Sequence, residues 1–214
     1  MSDLYSPGGV RNDARLVVAK MVNRVGQTNK KRVYLGLPHK EWSDFHVVKA
    51  NCPSVFSGIG VEKNKEVIKI AKANMPTWCL LLNGDLADKM NTINIYFGSF
   101  RVSAGWIDLM GQVGSVSYDR VLEATTLCLD TTFNVIPMAF TWYAGREGPE
   151  LKAKLSAFAK ANWDEIETGD RHEIRAGYIV DRLNKNGWAY EPFEILSLRE
   201  RSPMKLMTGV FNRV

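Results

Sequence analysis

Gly105-Trp106-Ile107-Asp108-Leu109-Met110-Gly111-Gln112-Val113-Gly114 leads into an amphipathic stretch over residues 117–130. An apolar run over 135–142 follows, and then Gly145-Arg146-Glu147-Gly148-Pro149-Glu150. The first run reads as a strand over 106–110 carrying an acid, closed by a glycine-rich turn. Tyr118, Val121, Leu122, Thr125 and Leu129 recur at the spacing of a single helical face. The second apolar run reads as another strand, ending in a polar loop. Strand, crossover helix and strand make a βαβ unit with polar groups at the carboxyl ends of its strands, where open α/β sheets bind ligands.

Working outward, two further strand–acid–helix units precede this one. Strands are expected over 32–37, 55–61 and 78–82, with Pro38 closing the first, Glu62 following the second, and Asn83-Gly84-Asp85 closing the third. Asp44 is positioned to cap a helix bearing Phe45, Val47, Val48 and Ala50. Asn64 is positioned to cap another, with Glu66 in its first turn and Val67, Ile70, Ala71 and Met75 as its apolar residues. Within the segment 86–103, residues 93–100 fit either an extra strand or a helix edge. Glu62, Asp85 and Asp108 in series at strand ends point toward a nucleoside-bearing cofactor.

Pro149 suits the first turn of a further helix, with Leu151, Leu155, Phe158 and Ala159 inward. The last helix is expected over 172–185, with Ile179, Val180 and Leu183 on one side and Gly187 at its C-terminal turn. The chain then changes pattern. Strands over 193–198 and 204–211 are joined by residues 199–203, a link too short for anything but antiparallel pairing. Residues 1–30 read as an N-terminal extension: a Ser-Pro-Gly-Gly lead-in, one helix with Leu16, Val17, Met21 and Val25 inward, and a polar connection. Residues 31–214 read as one domain.

The chain has 214 residues, 45% hydrophobic and 24% charged, which supports one full core. No run approaches the ~18 apolar residues of a membrane span. The start, Met1-Ser2-Asp3, begins no secretory signal, so a cytoplasmic protein is expected. Cys52, Cys79 and Cys128 are odd in number and lack metal spacing, so neither a disulfide framework nor a metal is expected; Cys79 and Cys128 lie in apolar segments and are expected to be buried free thiols. The net charge of +5 suits either a solvated basic surface or an anionic partner such as nucleic acid.

Parallel strands with acids at their ends, closed by an antiparallel hairpin, resemble the class I S-adenosylmethionine-dependent methyltransferases over about residues 31–214. The resemblance implies an α/β, Rossmann-like, doubly wound and mostly parallel sheet with a C-terminal antiparallel hairpin and helices on both faces. It implies S-adenosylmethionine as cofactor. Glu62, in Gly60-Val61-Glu62-Lys63-Asn64, stands where the family's acid holds the ribose hydroxyls; a helix-start acid is the plainer reading. Asp85 stands beside the adenine position, or is a turn aspartate serving backbone amides. Asp108 stands where the family places a polar residue facing methyl transfer.

The sequence also departs from the family. After the first strand the family carries an acid and a glycine-rich turn, where the backbone approaches the methionine moiety closely. Here Tyr34-Leu35-Gly36-Leu37-Pro38-His39 offers one glycine and no acid. Gly36 and Pro38 are then the loop's cofactor-binding candidates, or the fold is kept without catalysis. No Asp-Pro-Pro-Tyr motif follows the fourth strand, which argues against methylation of exocyclic base amines. No Pro-Cys pair follows it either, so a covalent cysteine mechanism has no support.

Pro137 sits awkwardly in a central strand, unless the strand bulges there or begins at Met138. Beyond the fifth strand, Arg146 suits a substrate phosphate or carboxylate, or is a surface charge. Trp142 suits either stacking on a substrate ring or core packing. Three functions remain open: a methyltransferase whose acceptor the basic balance tilts toward nucleic acid, an inactive methyltransferase-like module docking on nucleic acid or protein, and a nicotinamide-dependent enzyme. The last lacks its Gly-x-Gly-x-x-Gly fingerprint.

Overall fold

The computed structural model describes residues 10–25, 30–96, 101–162, 171–198 and 204–214. The N-terminal Ser-Pro-Gly-Gly segment, most of the polar connection before the first strand, Trp163 and the 199–203 link lie outside them. The described elements, in chain order, are α1 (Val10–Val25), β1 (Arg32–Gly36), α2 (Ser43–Asn51), β2 (Val55–Glu62), α3 (Lys65–Ala73), β3 (Cys79–Asn83) and α4 (Leu86–Tyr96). They continue with β4 (Ala104–Gln112), α5 (Val116–Cys128), β5 (Val135–Tyr143), α6 (Pro149–Asn162), α7 (Arg171–Leu183), β6 (Trp188–Ser197) and β7 (Met204–Arg213). The seven strands form one sheet in the order β3-β2-β1-β4-β5-β7-β6. All pairings through β5 are parallel, and β5–β7 and β6–β7 are antiparallel. The reversal at the C-terminal hairpin is the one expected from its short link.

Side-chain alternation along the strands builds two cores, one on each face. Val33, Leu35, Ile59, Val61, Ile107, Met138 and Phe140 pack toward α4, α5 and α7. Tyr34, Ala104, Trp106, Ala139 and Leu206 pack toward α1 and α2. Because successive strand residues point to opposite faces, each strand feeds both cores. α1 belongs to the second core through Ala14, Val18, Ala19, Met21 and Val22. Its buried face is rotated from the one the sequence suggested: Leu16 is exposed. α3 departs similarly, burying Ala71 while Ile70 and Met75 are exposed. On short helices several apolar stripes compete, and the neighbours choose among them.

Several local devices behave as the residues suggest. Asn64 caps α3, its side chain accepting from the Glu66 and Val67 amides. Ser115 caps α5. Asp44 does not cap α2: the N-cap is Trp42 in the left-handed conformation, and Asp44 sits in the first turn, paired with Arg15 of α1. The ambiguous segment after residue 85 is helix α4 at least to Tyr96; residues 97–100 lie outside the description.

Pro137 lies inside β5, which runs from Val135. It pairs with Val210 of β7, and the parallel pairing with β4 begins one residue later, at Met138. The proline thus falls before the parallel ladder that its missing N–H would have interrupted. Gly60 is a close-approach position, since a Cβ there would lie 2.7 Å from the Trp42 ring.

Cys52 and Cys128 are buried, and Cys79, expected to be buried, is only half-buried. Burial pushes Cys52 up to about 11 and Cys79 and Cys128 each up to about 12, from an ordinary 9.0. The thiolate is the reactive form. Native protein at neutral pH is therefore expected to resist Ellman's reagent, while denatured protein releases three equivalents. Unfolded thiols ionise near 9.0 and the folded ones at about 11 or above. The thiols' contribution to stability is thus complete below 9 and is lost as pH rises through that window. Urea titrations across it check this.

Candidate functional site

Two adjoining cavities open at the carboxyl ends of β1, β2, β3 and β4. The larger, about 360 Å³, is walled by Leu37, Val61, Leu86, Leu109, Tyr118 and Val121, with Glu62, Lys63, Asp85, Asp108 and Ser117 as polar groups. The smaller, about 140 Å³, is lined by Arg15, Leu37, Pro38, His39, Ser43, Asp44, Glu62 and Asp108. Leu37, Glu62 and Asp108 border both. An apolar chamber with a few convergent polar groups is the usual form of a small-molecule site.

Glu62 is the last residue of β2, and its Oε1 accepts from the amides of Lys63 (2.9 Å) and Asn64 (2.8 Å). The helix-start role is real, and it holds the carboxylate in place at the cavity edge. Each carboxylate oxygen has about two acceptor positions, so capacity for further donors remains. Asp85 is held in the same way, as a turn aspartate. Its Oδ1 accepts from the Ala87 amide at the start of α4 (3.1 Å), and it borders the larger cavity. The turn before it needs glycine: Gly84 has φ +147° and forms part of the same wall.

Asp108 stands within β4 rather than at its end, since the strand continues to Gln112. Pairing with β5 runs to Asp108↔Thr141 and resumes at Gln112↔Tyr143, four steps along β4 against two along β5. The two strands thus fall out of register just beyond Asp108, a bulge-type irregularity of the kind that re-aims side chains beside functional sites. Asp108 is 9% exposed, and its Oδ1 accepts from the Thr141 hydroxyl at 2.7 Å. It sits where the two cavities meet.

The remaining candidates are placed differently. Gly36 packs against the core: a Cβ on it would lie 3.2 Å from the Tyr34 ring and 3.3 Å from Phe45, and it borders neither cavity. Pro38 does border the smaller one. Trp142 is 0% exposed in the core facing α5 and α7, so its ring is unavailable for stacking on a ligand. Its position in β5 gives it the same parity as Met138 and Phe140, which sets its burial.

Arg146 is exposed on the loop after β5 and borders neither cavity; its carbonyl accepts from Gln112 Nε2 at 2.9 Å. That loop is held from below by Arg175. Its Nη1 donates to the Ala144 carbonyl and its Nη2 to the Gly145 carbonyl, both at 2.9 Å, and its Nε donates to Glu147 Oε1 at 2.7 Å.

Arg15, Asp44, Ser117 and Tyr118 were not singled out as site residues from the sequence. Tyr118 shows only as part of a helical stripe. Its ring lines the larger cavity while its hydroxyl donates to the Thr141 carbonyl at 3.0 Å. Arg15, in the N-terminal stretch that the sequence sets apart from the domain, lines the smaller cavity. Among the described residues, no cluster of three or more His, Cys, Asp or Glu is arranged to hold a metal ion.

No protein-family model matches the sequence, and no curated protein matches it. Solved structures do match in shape. A Methanococcus jannaschii fibrillarin pre-rRNA processing protein superposes with a TM-score of 0.56 at 10% identity, covering 86% of this chain and 68% of that one. TYW2 from M. jannaschii, solved in complex with AdoMet, gives 0.54 at 11% identity, covering 100% and 80%. A putative rRNA-methylase from Clostridium thermocellum gives 0.53 at 11% identity, covering 98% and 100%. The chain has the fold of the class I S-adenosylmethionine-dependent methyltransferases.

Proposed function

We propose that this protein is an S-adenosylmethionine-dependent methyltransferase. The observation that carries the reading is the pair of adjoining cavities at the carboxyl ends of β1 to β4, with Glu62 and Asp108 on both. The donor set fits the cofactor. Leu37, Val61, Leu86, Leu109 and Val121 offer apolar walls for a purine, and Asp85, on the same lining, is the candidate partner for its amino group. Glu62 presents an oriented carboxylate for a vicinal diol.

Bound S-adenosylmethionine supplies an electrophilic methyl group on a sulfonium centre. The chain's own task is to position the acceptor and exclude water. Asp108, oriented by Thr141, is the group for this: its carboxylate can accept a hydrogen bond or a proton from an acceptor hydroxyl or amine. Its negative charge also favours a cationic group where the cavities meet. Arg146, exposed on a loop anchored by Arg175 and Gln112, is the contact for an anionic acceptor. Two of the structural neighbours are named for ribosomal RNA. Together with the +5 net charge, this makes RNA the first acceptor class to test.

Calorimetric titration with S-adenosylmethionine and S-adenosylhomocysteine tests the reading, with micromolar binding expected. Folded protein that binds neither would overturn it. A second reading, a methyltransferase-like module without catalysis, is favoured by the first loop. Its one glycine packs on Phe45 in the core and not on the cavity. That reading expects no cofactor affinity, and nucleic-acid binding that weakens steeply with salt.

A further inference from the structure

The smaller cavity brings together residues from α1, the first loop, α2, β2 and β4. Arg15, in α1, is 6% exposed, and its Nε donates to Oδ1 of Asp44 in the first turn of α2. The two residues are far apart in sequence and meet because α1 and α2 pack together in one core. Beside them, the Tyr34 hydroxyl is fully buried and has no hydrogen-bond partner among the described residues. Burial, then Asp44, push its pKa well above the ordinary range, with Arg15 opposing. The other titratable groups on the cavity are Glu62, Asp108 and His39.

This set offers one guanidinium and several carboxylates in a half-enclosed space. An arginine fork carries five donors and a carboxylate two acceptor oxygens, so a pair joined, among the described residues, through one Nε–Oδ1 contact has capacity for a second, complementary pair. A zwitterionic α-amino acid is that pair: its carboxylate suits the fork and its ammonium suits Asp44. The first loop is poorly equipped for the task. Gly36 faces aromatic rings, Pro38 has no N–H, and no acid follows the strand.

We propose that Arg15 and Asp44 seat the α-carboxylate and α-ammonium groups at the methionine end of the cofactor, in place of a glycine-rich first loop. The inference rests on the cofactor reading above. It also makes α1 part of the binding site.

S-Adenosylhomocysteine and 5′-methylthioadenosine, which lacks the amino-acid end, separate the two ideas. On the unaltered protein the seat requires at least a tenfold preference for S-adenosylhomocysteine. Equal affinity for both would overturn the seat while leaving the nucleoside site standing. Binding of neither would remove the cofactor reading and the seat with it.

Arg15→Gln is expected to weaken S-adenosylhomocysteine about 30-fold, the loss of one charge-assisted contact, and to leave methylthioadenosine within about twofold. Since that change strands Asp44, the Arg15→Gln/Asp44→Asn protein is the companion variant, with the same selective loss expected. Arg15→Lys keeps charge without the fork and should fall between the two. Unchanged S-adenosylhomocysteine binding, or equal loss of both ligands in folded variants, would show that the pair is structural only.

Discussion

Glu62→Ala is expected to weaken binding of S-adenosylmethionine and S-adenosylhomocysteine by about 100-fold, read by calorimetry. A carboxylate accepting from both hydroxyls of a diol makes two charge-assisted bonds, each worth roughly 1.5–3 kcal/mol when desolvated. Glu62 is only half-buried, so about 3 kcal/mol for the pair is the reasonable sum, which is about 100-fold. The fold should survive. The amides of Lys63 and Asn64 that lose Glu62 Oε1 belong to exposed residues and can turn to water. Unlike Arg15→Gln, this change removes methylthioadenosine affinity as well, because it acts on the sugar. Glu62→Gln keeps one acceptor oxygen and should fall between the two. Unchanged affinity in Glu62→Ala would mean that the ribose lies elsewhere.

Arg175→Met should lower stability by about 3 kcal/mol, or roughly 6–12 °C in melting temperature for a chain of this size. Arg175 is 3% exposed and the Glu147 side chain 5%. Their contact at 2.6 Å, with the two loop carbonyls on the same fork, is a buried charge network. Removing one partner of such a pair typically costs 3–5 kcal/mol, because the other is left as a buried charge. Arg171 still reaches Glu147 Oε2 at 3.1 Å and softens the loss, which sets the expectation at the low end. Arg175→Met/Glu147→Leu should recover part of it, since no charge is then stranded. A single-variant loss below about 1 kcal/mol in urea denaturation would show that water reaches this network in solution. The same variant tests the loop itself: acceptor binding at Arg146 should fall while cofactor affinity holds.

The strands and helices were legible because their signals are local. Alternating and 3.6-residue apolar patterns, with Asn64 and Pro149 at helix starts and the short link before β7, report on a few neighbouring residues at a time. The acids at strand ends were legible for the same reason. Glu62 closes β2, Asp85 follows β3 by two residues, and each binds a nearby amide, so the sequence showed where they stand and their role at the turn. Trp142 was ambiguous in the sequence because its fate depends on which face of β5 looks inward; that face packs on α5 and α7.

Other features had no local signal. Arg146 drew attention in the loop after β5, yet its neighbour Glu147 is the buried member, and its partner Arg175 lies on a helix two elements later. The out-of-register step beyond Asp108 depends on how β4 meets β5, a pairing of residues more than thirty positions apart. The pairing of Arg15 with Asp44 required α1 to pack beside α2, and the apolar stripe of α1 was compatible with more than one facing. Periodicity and capping are set by backbone geometry within a few residues, so they are written in the chain. Which charged side chains share a cavity follows from the packing of whole elements, a long-range outcome on which neighbouring residues in the sequence carry no mark.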